Sequence, residues 1–515
     1  MSYESERIET IRVEKVSEAR VKIIVDDHNI IQELANYFSV KVEGYQFMPK
    51  YKMGMWNGKI YFFTDSTLPI GLLTKLGKFA ESGGYNLDIG FNDAIAASTY
   101  SKIDFAHFID YLNIPDKFEY RDYQFKAAYD AICNKRLSIK ATTASGKSLI
   151  MYYIIRFMES AGFKSLVVVP STHLVGQMYT DWEDYGWENI HEYVAQVYGG
   201  MPKRFDTPTV ISTWHSLFEK RKVGKTFQVK LRNKKLFESF DCLMMDEAHT
   251  VKATSLKDIA AACTKAQWRI GLSGTFPEEG ELDWFTIVGS LGDIVPYTTY
   301  QSLRKEEKIA HLTIQNIMFD YTTQERKANF LENGKYYPGE VNYVNELEKR
   351  NEFIVRMADA FETNTIILFT KIDHGLTLYR MLQDTDRPIF HIDGSTSADE
   401  RNLIRGRMEK RDGIILVASY GTFSTGVNLK NVHQIIAASN YKKFYKVVQA
   451  IGRGLRKIKG KKEVITMYNL VDDLRYVISG DSTYINYLYK HYKDRRRVYK
   501  NEGYDDISDI KVRLT

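Results

Sequence analysis

The chain has 515 residues, 71 Lys+Arg against 65 Asp+Glu for a net charge of +6, with 44% hydrophobic and 26% charged residues. This is globular composition, enough for roughly three to four domains of about 150 residues, and it excludes a mainly disordered or collagen-like chain. The longest apolar runs, such as 165–170 and 413–418, are strand-sized, and the charged start MSYESERIET lacks the apolar core of a signal peptide. A soluble cytoplasmic protein with no membrane partner is therefore expected. Cys133, Cys242 and Cys263 are odd in number and lack C-x-x-C spacing, so they read as buried reduced thiols.

Residues 1–111 read as a small α+β domain. Segments 21–25 and 59–63 are strand candidates, and 29–38 and 72–82 have helical periodicity. From 112 to 300, apolar strands at 137–140, 165–169, 209–212, 242–245 and 269–272 alternate with helical stretches such as 147–161. That alternation predicts a parallel sheet with helices on both faces. Residues 301–360 are polar, rich in Lys and Glu, and read as a connection. A second alternating series at 365–370, 388–392, 413–418, 433–438 and 464–470 makes 301–475 another α/β domain, and 476–515 reads as a basic, Tyr-rich tail. The fold class is α/β: two tandem parallel-sheet domains behind a small α+β domain.

Residues 141–148, Ala-Thr-Thr-Ala-Ser-Gly-Lys-Ser, follow an apolar strand and open a helical stretch. Small residues at Thr143, Ala144, Ser145 and Gly146 let backbone N–H groups face phosphate oxygens, and a helix N-terminus adds a favourable dipole. Lys147 is then the group for the β- and γ-phosphates of ATP, and Ser148 a hydroxyl ligand for Mg²⁺. The pattern departs from the usual phosphate loop at Ala141, where glycine is usual. Downstream, 240–249 is an apolar strand ending in Asp246-Glu247. Asp246 is the candidate to hold the metal through water, and Glu247 to orient or deprotonate the attacking water.

With Ala248 and His249, these motifs resemble a superfamily 2 helicase of DExH type. The resemblance implies RecA-like lobes and carries further residues. Arg121 and Gln124, in Arg-Asp-Tyr-Gln, resemble the adenine-reading Q motif. Ser273-Gly274-Thr275 resembles the motif linking the nucleotide and nucleic-acid sites, and His249 takes a coupling role. The segment 449–456, Gln-Ala-Ile-Gly-Arg-Gly-Leu-Arg, matches Q-x-x-G-R-x-x-R, which makes Gln449 a nucleotide contact and Arg453 and Arg456 arginine fingers.

Nucleic-acid contacts are implied at Pro170 and Thr172, Ser212 and Thr213, Thr370 and Lys371, and Ser419 and Thr425. Hydroxyls at strand ends suit phosphate and sugar contacts, and they equally suit helix caps. Two basic stretches add to this track. Residues 219–237 hold eight Lys/Arg against one acid, as a hairpin or loop, and 484–500 hold six Lys/Arg against one acid with five Tyr interleaved. Base stacking and packing against the second lobe remain equal readings for these tyrosines.

The layout also resembles the UvsW recombination and repair helicases of T-even bacteriophages, through 44–51 and 56–60 near the N-terminus and 418–426 in the second lobe. That implies an ATP- and Mg²⁺-dependent helicase acting on branched or single-stranded DNA, with RNA–DNA hybrids among its substrates. Recombination or replication proteins would be its further partners, and the infected host cytoplasm its location. Three readings stand beside it: an RNA-directed DExH helicase or a restriction-type double-strand translocase, a nucleic-acid binding protein switched by ATP without motor activity, and a kinase or metabolic phosphotransferase.

Overall fold

The computed structural model describes residues 9–91, 100–142, 145–201, 203–223, 226–232, 234–250, 253–306, 309–334, 336–426, 431–439, 464–480, 482–501 and 503–514. The fold divides into two compact units, Met1–Ala141 with Gly146–Thr298, and Thr142–Ser145 with Thr299–Thr515.

In the first unit a seven-stranded sheet runs, edge to edge, Ile294–Thr298, Arg136–Ala141, Trp268–Ser273, Cys242–Asp246, Ser165–Val169, Thr209–Thr213, Val194–Val197. Every pairing is parallel. The sequence shows why both faces are covered. Leu166 and Val168 join Leu243 and Met245 in one apolar cluster, while Val167 and Val169 join Cys242 and Met244 in the other. Side chains alternate across a strand, so a continuous apolar run supplies both faces and needs helices on each. The five strands expected from sequence are present, and Val194–Val197 and Ile294–Thr298 extend the sheet at its two edges.

The N-terminal four-stranded sheet pairs Thr10–Lys15 antiparallel with Arg20–Ile24 and parallel with Asn86–Ile89, and Thr67–Pro69 closes the other edge. Ile11, Val13, Val21 and Ile23 point to one face, where they meet Ile30 and Leu34 of helix His28–Tyr37 and Leu76 and Phe79 of helix Leu73–Gly83. Phe285 and Val288, from helix Leu282–Leu291 of the large sheet's layer, complete that same core. Phe62 stacks on Phe285 with ring centroids 5.1 Å apart. Glu18 pairs with Arg136, at the start of a central strand. The small sheet and a helix of the large sheet's layer therefore share a core.

The second unit carries another seven-stranded, all-parallel sheet: Ile389–Ile392, Ile415–Ser419, Thr365–Phe369, Gln434–Ala437, Val464–Asp473, His311–Asp320, Ile507–Arg513. Two of these strands come from segments read as connection and tail. His311–Asp320 alternates buried and half-exposed positions, so its polar residues hid a strand. Ile507–Arg513 is an exposed edge strand with little apolar signal. Helix Tyr487–Asn501 buries Tyr489, Tyr492 and Tyr499 against the unit, which assigns these three tyrosines to packing. The helix is tied down at its start by the buried Glu340 carboxylate. That carboxylate accepts from Leu488 N–H at 2.8 Å, Tyr487 N–H at 3.1 Å and Asn486 Nδ2 at 2.8 Å. It satisfies orphan donors and complements the helix dipole.

Candidate nucleotide site and nucleic-acid track

Strand Arg136–Ala141 ends at the phosphate-loop sequence, and helix Lys147–Ser160 begins directly after Gly146. Gly146 has φ +78°, a left-handed backbone that glycine adopts without steric cost. Thr143 and Ala144 lie outside the described residues. Ser145 is buried, its N–H donating to Thr142 O at 3.2 Å. The Ser148 hydroxyl oxygen is buried and makes no hydrogen bond among the described residues. Its own carbonyl accepts from the indole of the buried Trp182 at 3.3 Å, which fixes this turn of helix.

Gln124 is buried on helix Asp122–Asn134. Its Oε1 accepts from Arg121 N–H at 3.2 Å, and its Nε2 faces Gly146, where an added Cβ would come within 2.3 Å. Arg121 Nη1 donates to Tyr123 OH at 2.9 Å. The Q motif and the phosphate loop are thus in direct contact.

Asp246 ends its strand nearly buried, and its Oδ1 accepts from Glu247 N–H at 3.0 Å. Glu247 has φ +48°, a left-handed conformation costing a non-glycine residue about 1–2 kcal/mol. That turn aims its carboxylate at the phosphate-loop lysine. Lys147 Nζ lies 3.7 Å from Glu247 Oε1 and donates to Ala141 O at 3.4 Å.

The other Glu247 oxygen faces Ser273, with Ser273 Oγ 3.3 Å from Oε2. His249 Nδ1 lies 2.5 Å from the same hydroxyl and 3.5 Å from Glu247 Oε2. Thr275 N–H donates to Ser273 Oγ at 3.2 Å, and Thr275 O lies 2.6 Å from it. One hydroxyl proton therefore has competing acceptors in Glu247, the Thr275 carbonyl and, in one tautomer, His249. Ser273, quoted in sequence as part of a linking motif and given no contact of its own, lies at the centre of the group. Trp182 supports the site and carried no sequence signal, because its partner Ser148 is distant in the chain.

The track residues separate into two groups. Pro170 and Thr172 stand at the end of strand Ser165–Val169, with Thr172 exposed. Thr370 is half-buried beyond strand Thr365–Phe369, and exposed Lys371 bonds Asn342. Ser212 and Thr213 end strand Thr209–Thr213. Both are buried, with Ser212 Oγ donating to backbone carbonyls of Val197 or Thr213 and Thr213 Oγ1 to Ser216 Oγ at 2.9 Å. Their hydroxyls are bonded within the fold. Ser419 Oγ accepts from Thr422 N–H at 3.2 Å, so it caps helix Tyr420–Gly426. Residues 218–223 and 226–231 pair as an antiparallel hairpin, so the first basic stretch is a hairpin. The Thr425 side chain, and Gln449, Arg453 and Arg456, lie outside the described residues.

Among the described residues no helix is long and apolar enough to cross a membrane. All three cysteines are buried, and burial pushes the Cys242 and Cys263 thiols up to about 12, so they stay protonated.

A family model for the type III restriction enzyme res subunit matches residues 117–278, and one for the helicase conserved C-terminal domain matches 349–457. A third, the N-terminal domain of the DNA helicase UvsW, matches residues 10–90. The ATP-dependent DNA helicase UvsW of Enterobacteria phage T4 is 29% identical over 504 residues, 93% of this chain and 95% of its own length. The chain fits a superfamily 2 helicase related to UvsW.

The crystal structure of the UvsW helicase from bacteriophage T4 covers 56% of this helicase chain and 99% of its own, at 28% identity and a TM-score of 0.50. The DNA 3′-5′ translocase XPB2 of Sulfurisphaera tokodaii is 25% identical over 388 residues, 67% of this helicase and 80% of its own length.

Proposed function

We propose that this helicase uses ATP hydrolysis to unwind or branch-migrate DNA at junctions, forks and R-loops, as its relationship to an ATP-dependent DNA helicase suggests. The observation that carries the reading is the chain of contacts from Lys147 through Glu247 to Ser273 and Thr275. The nucleotide end of that chain is thereby joined to a strand-end loop suited to substrate.

Lys147, 3.7 Å from Glu247 Oε1, pairs with the β- and γ-phosphates of bound ATP. This frees the Glu247 carboxylate to accept the proton of a water molecule. Ser273 keeps its bond to one Glu247 oxygen, so the loss of the lysine is felt at Thr275. The Ser148 hydroxyl and Asp246 carboxylate are hard oxygen donors that fit Mg²⁺, and the orphaned Ser148 oxygen is the better evidence for it. Bound there, Mg²⁺ would neutralise charge on the phosphates. Gln124 and Arg121 recognise adenine, helped by Gln449, while Arg453 and Arg456 bring positive charge to the transferring phosphoryl group.

Residues 1–111 are assigned to substrate recognition, 112–300 to the ATP-binding lobe and 301–475 to the second lobe. Pro170, Thr172, Thr370 and Lys371 position a DNA strand by its phosphates. The host cytoplasm of an infected cell is the inferred location. The likeness to a named DNA translocase favours a second reading, translocation along duplex DNA without strand separation.

Steady-state ATPase assays with no nucleic acid, single-stranded DNA, linear duplex, four-way junctions, R-loops and RNA test this, with Lys147→Ala and Glu247→Gln as controls. DNA stimulation lost in both variants, with strand displacement on junctions, is expected. Stimulation by linear duplex without displacement would select the translocase. Stimulation by RNA alone, or none at all, would overturn the DNA motor.

A further inference from the structure

One surface feature of the small N-terminal sheet is absorbed neither by its core nor by the nucleotide site. In the segment from Tyr45 to Ile60, Phe47, Met53 and Met55 are exposed by 75%, 63% and 72%, and Met48, Tyr51 and Ile60 also reach solvent. Large apolar side chains gathered on so short a stretch mark a surface that another molecule covers.

The segment holds this shape itself. Tyr45–Phe47 and Pro49–Lys52 form consecutive helical turns. Met53 N–H donates to Pro49 O and Met55 N–H to Lys50 O, both at 2.9 Å. Gly54 turns the chain at φ +67°. The Tyr45 and Tyr51 rings meet edge to face at 4.7 Å, and Gly58 is pressed so closely on Tyr45 that no Cβ fits between them. Trp56 Nε1 donates to Lys59 O at 2.8 Å. These bonds hold the turns, and the apolar side chains are left outward. This ordered loop presents its apolar groups at little entropic cost.

Charge identifies the occupant. Between residues 41 and 60 the chain carries Lys41, Lys50, Lys52 and Lys59 against the single acid Glu43. A protein-binding apolar patch is depleted of lysine, whereas lysines around exposed aromatic and thioether side chains match a polyanion with an apolar face. Intact duplex shows such a face only where stacking is interrupted, and side chains such as Phe and Met are the type that insert at base steps.

We propose that residues 45–60 cap the exposed base-pair face at a DNA branch point. Phe47, Met53 and Met55 lie against the bases, and Lys50 and Lys52 hold the flanking phosphates. The proposal rests on the DNA reading above and deepens it: the substrate is selected for its interrupted stacking, ahead of any step of the motor.

The test measures binding without ATP, so it stands apart from the motor reading. The full chain and its Phe47→Ala/Met55→Ala and Lys50→Ala/Lys52→Ala variants are titrated against a three-way fork and a linear duplex of equal length. 2-Aminopurine at the branch point reports base contact. The apolar variant should lose about tenfold in fork affinity, with linear duplex affinity unchanged, and should no longer quench the branch-point probe. The lysine variant should weaken both and lower the salt dependence. All four residues are at the surface, and an unchanged melting temperature confirms the fold. Equal losses on fork and duplex, or none on either, would overturn the proposal, as would loss of self-association with normal fork binding. If the parent protein's ATPase ignores DNA while fork capping persists, the motor reading fails and this one stands.

Discussion

Gln124 Nε2 occupies the space in which a Cβ on residue 146 would lie, at 2.3 Å. The Gln124 side chain therefore rests on the phosphate loop, and its own oxygen is held by Arg121 N–H. Glycine at 146 satisfies two demands together, a φ of +78° and room for that carboxamide. Gly146→Ala is expected to weaken ATP binding by at least tenfold, through a displaced Gln124 and a strained loop. A Gln124→Ala/Gly146→Ala double variant should recover none of the backbone cost and only part of the steric one. Fluorescent-nucleotide titration of both variants checks this, and equal affinities in the two would rule out the steric contribution.

The parts of the fold legible in sequence were those with a local signature. Buried parallel strands such as Ser165–Val169 are apolar at every position, so composition alone marks them. His311–Asp320 was hidden because its half-exposed positions carry Thr, Gln and His, and Ile507–Arg513 because an edge strand needs few apolar residues. At the site, Lys147 and Glu247 stood out through the phosphate-loop and strand-end acid patterns, and Gln124 through the family resemblance. A strand-end hydroxyl such as that of Ser212 or Thr213 looks the same in sequence whether it faces a ligand or a neighbouring strand. The exposed methionines at 53 and 55 show the same limit in reverse: sequence does not report exposure.

Ser273 connects Glu247 to Thr275, so its removal should separate chemistry from its consequence. Ser273→Ala is expected to keep at least a third of DNA-stimulated ATP hydrolysis while losing most strand displacement. Glu247→Gln should lower hydrolysis by about 10²-fold or more with nucleotide binding intact. Parallel ATPase and unwinding assays decide. Proportional losses in Ser273→Ala would show that the hydroxyl serves hydrolysis alone.

Gly71 is where the small sheet meets helix Leu282–Leu291. A Cβ there would lie 2.0 Å from the backbone oxygen of Val288. Backbone cannot step aside as a side chain can, so Gly71→Ala must push the two layers apart and open the core shared by Phe62 and Phe285. A loss of about 2–4 kcal/mol is expected, the range of a partly opened core. Denaturant melts check the magnitude. Gly77→Ala, with nothing within 4 Å of its Cβ, is the control and should be neutral or slightly stabilising.

In the second unit Arg350 and Asp472 form a fully buried pair, with Nε to Oδ1 at 2.8 Å and Nη2 to Oδ2 at 3.1 Å. Tyr321 OH donates to the same carboxylate at 2.7 Å, and Arg350 Nη2 also donates to Ala438 O at 2.8 Å. Removing one charge leaves the other buried and uncompensated. Asp472→Asn and Arg350→Met should each cost about 3–5 kcal/mol, and the double variant less than their sum. A double-variant cycle by denaturant unfolding measures this. Strict additivity would mean the pair does not interact.

His374 packs beside that arginine. It is buried, with Nε2 3.0 Å from Asn351 Oδ1 and Nδ1 3.3 Å from Ser439 Oγ. Burial, and then the Arg350 charge, lower its pKa from 6.5 to about 3. A base with a depressed pKa in the folded state stays neutral while its unfolded counterpart takes up a proton. Stability is therefore undiminished above pH 6.5 and falls as the pH drops from there towards 3. The loss between pH 7 and pH 5 is about 2 kcal/mol from this residue, a window above the range where Asp393, Asp473, Asp506 and Asp509 titrate. His391, also lowered by burial, adds in the same direction. Denaturant unfolding of the parent and His374→Gln at pH 7, 6 and 5 isolates the contribution. The variant starts lower, having lost a packed ring, but its stability should decline less steeply with acid. Parallel declines would show that His374 becomes charged in the folded protein.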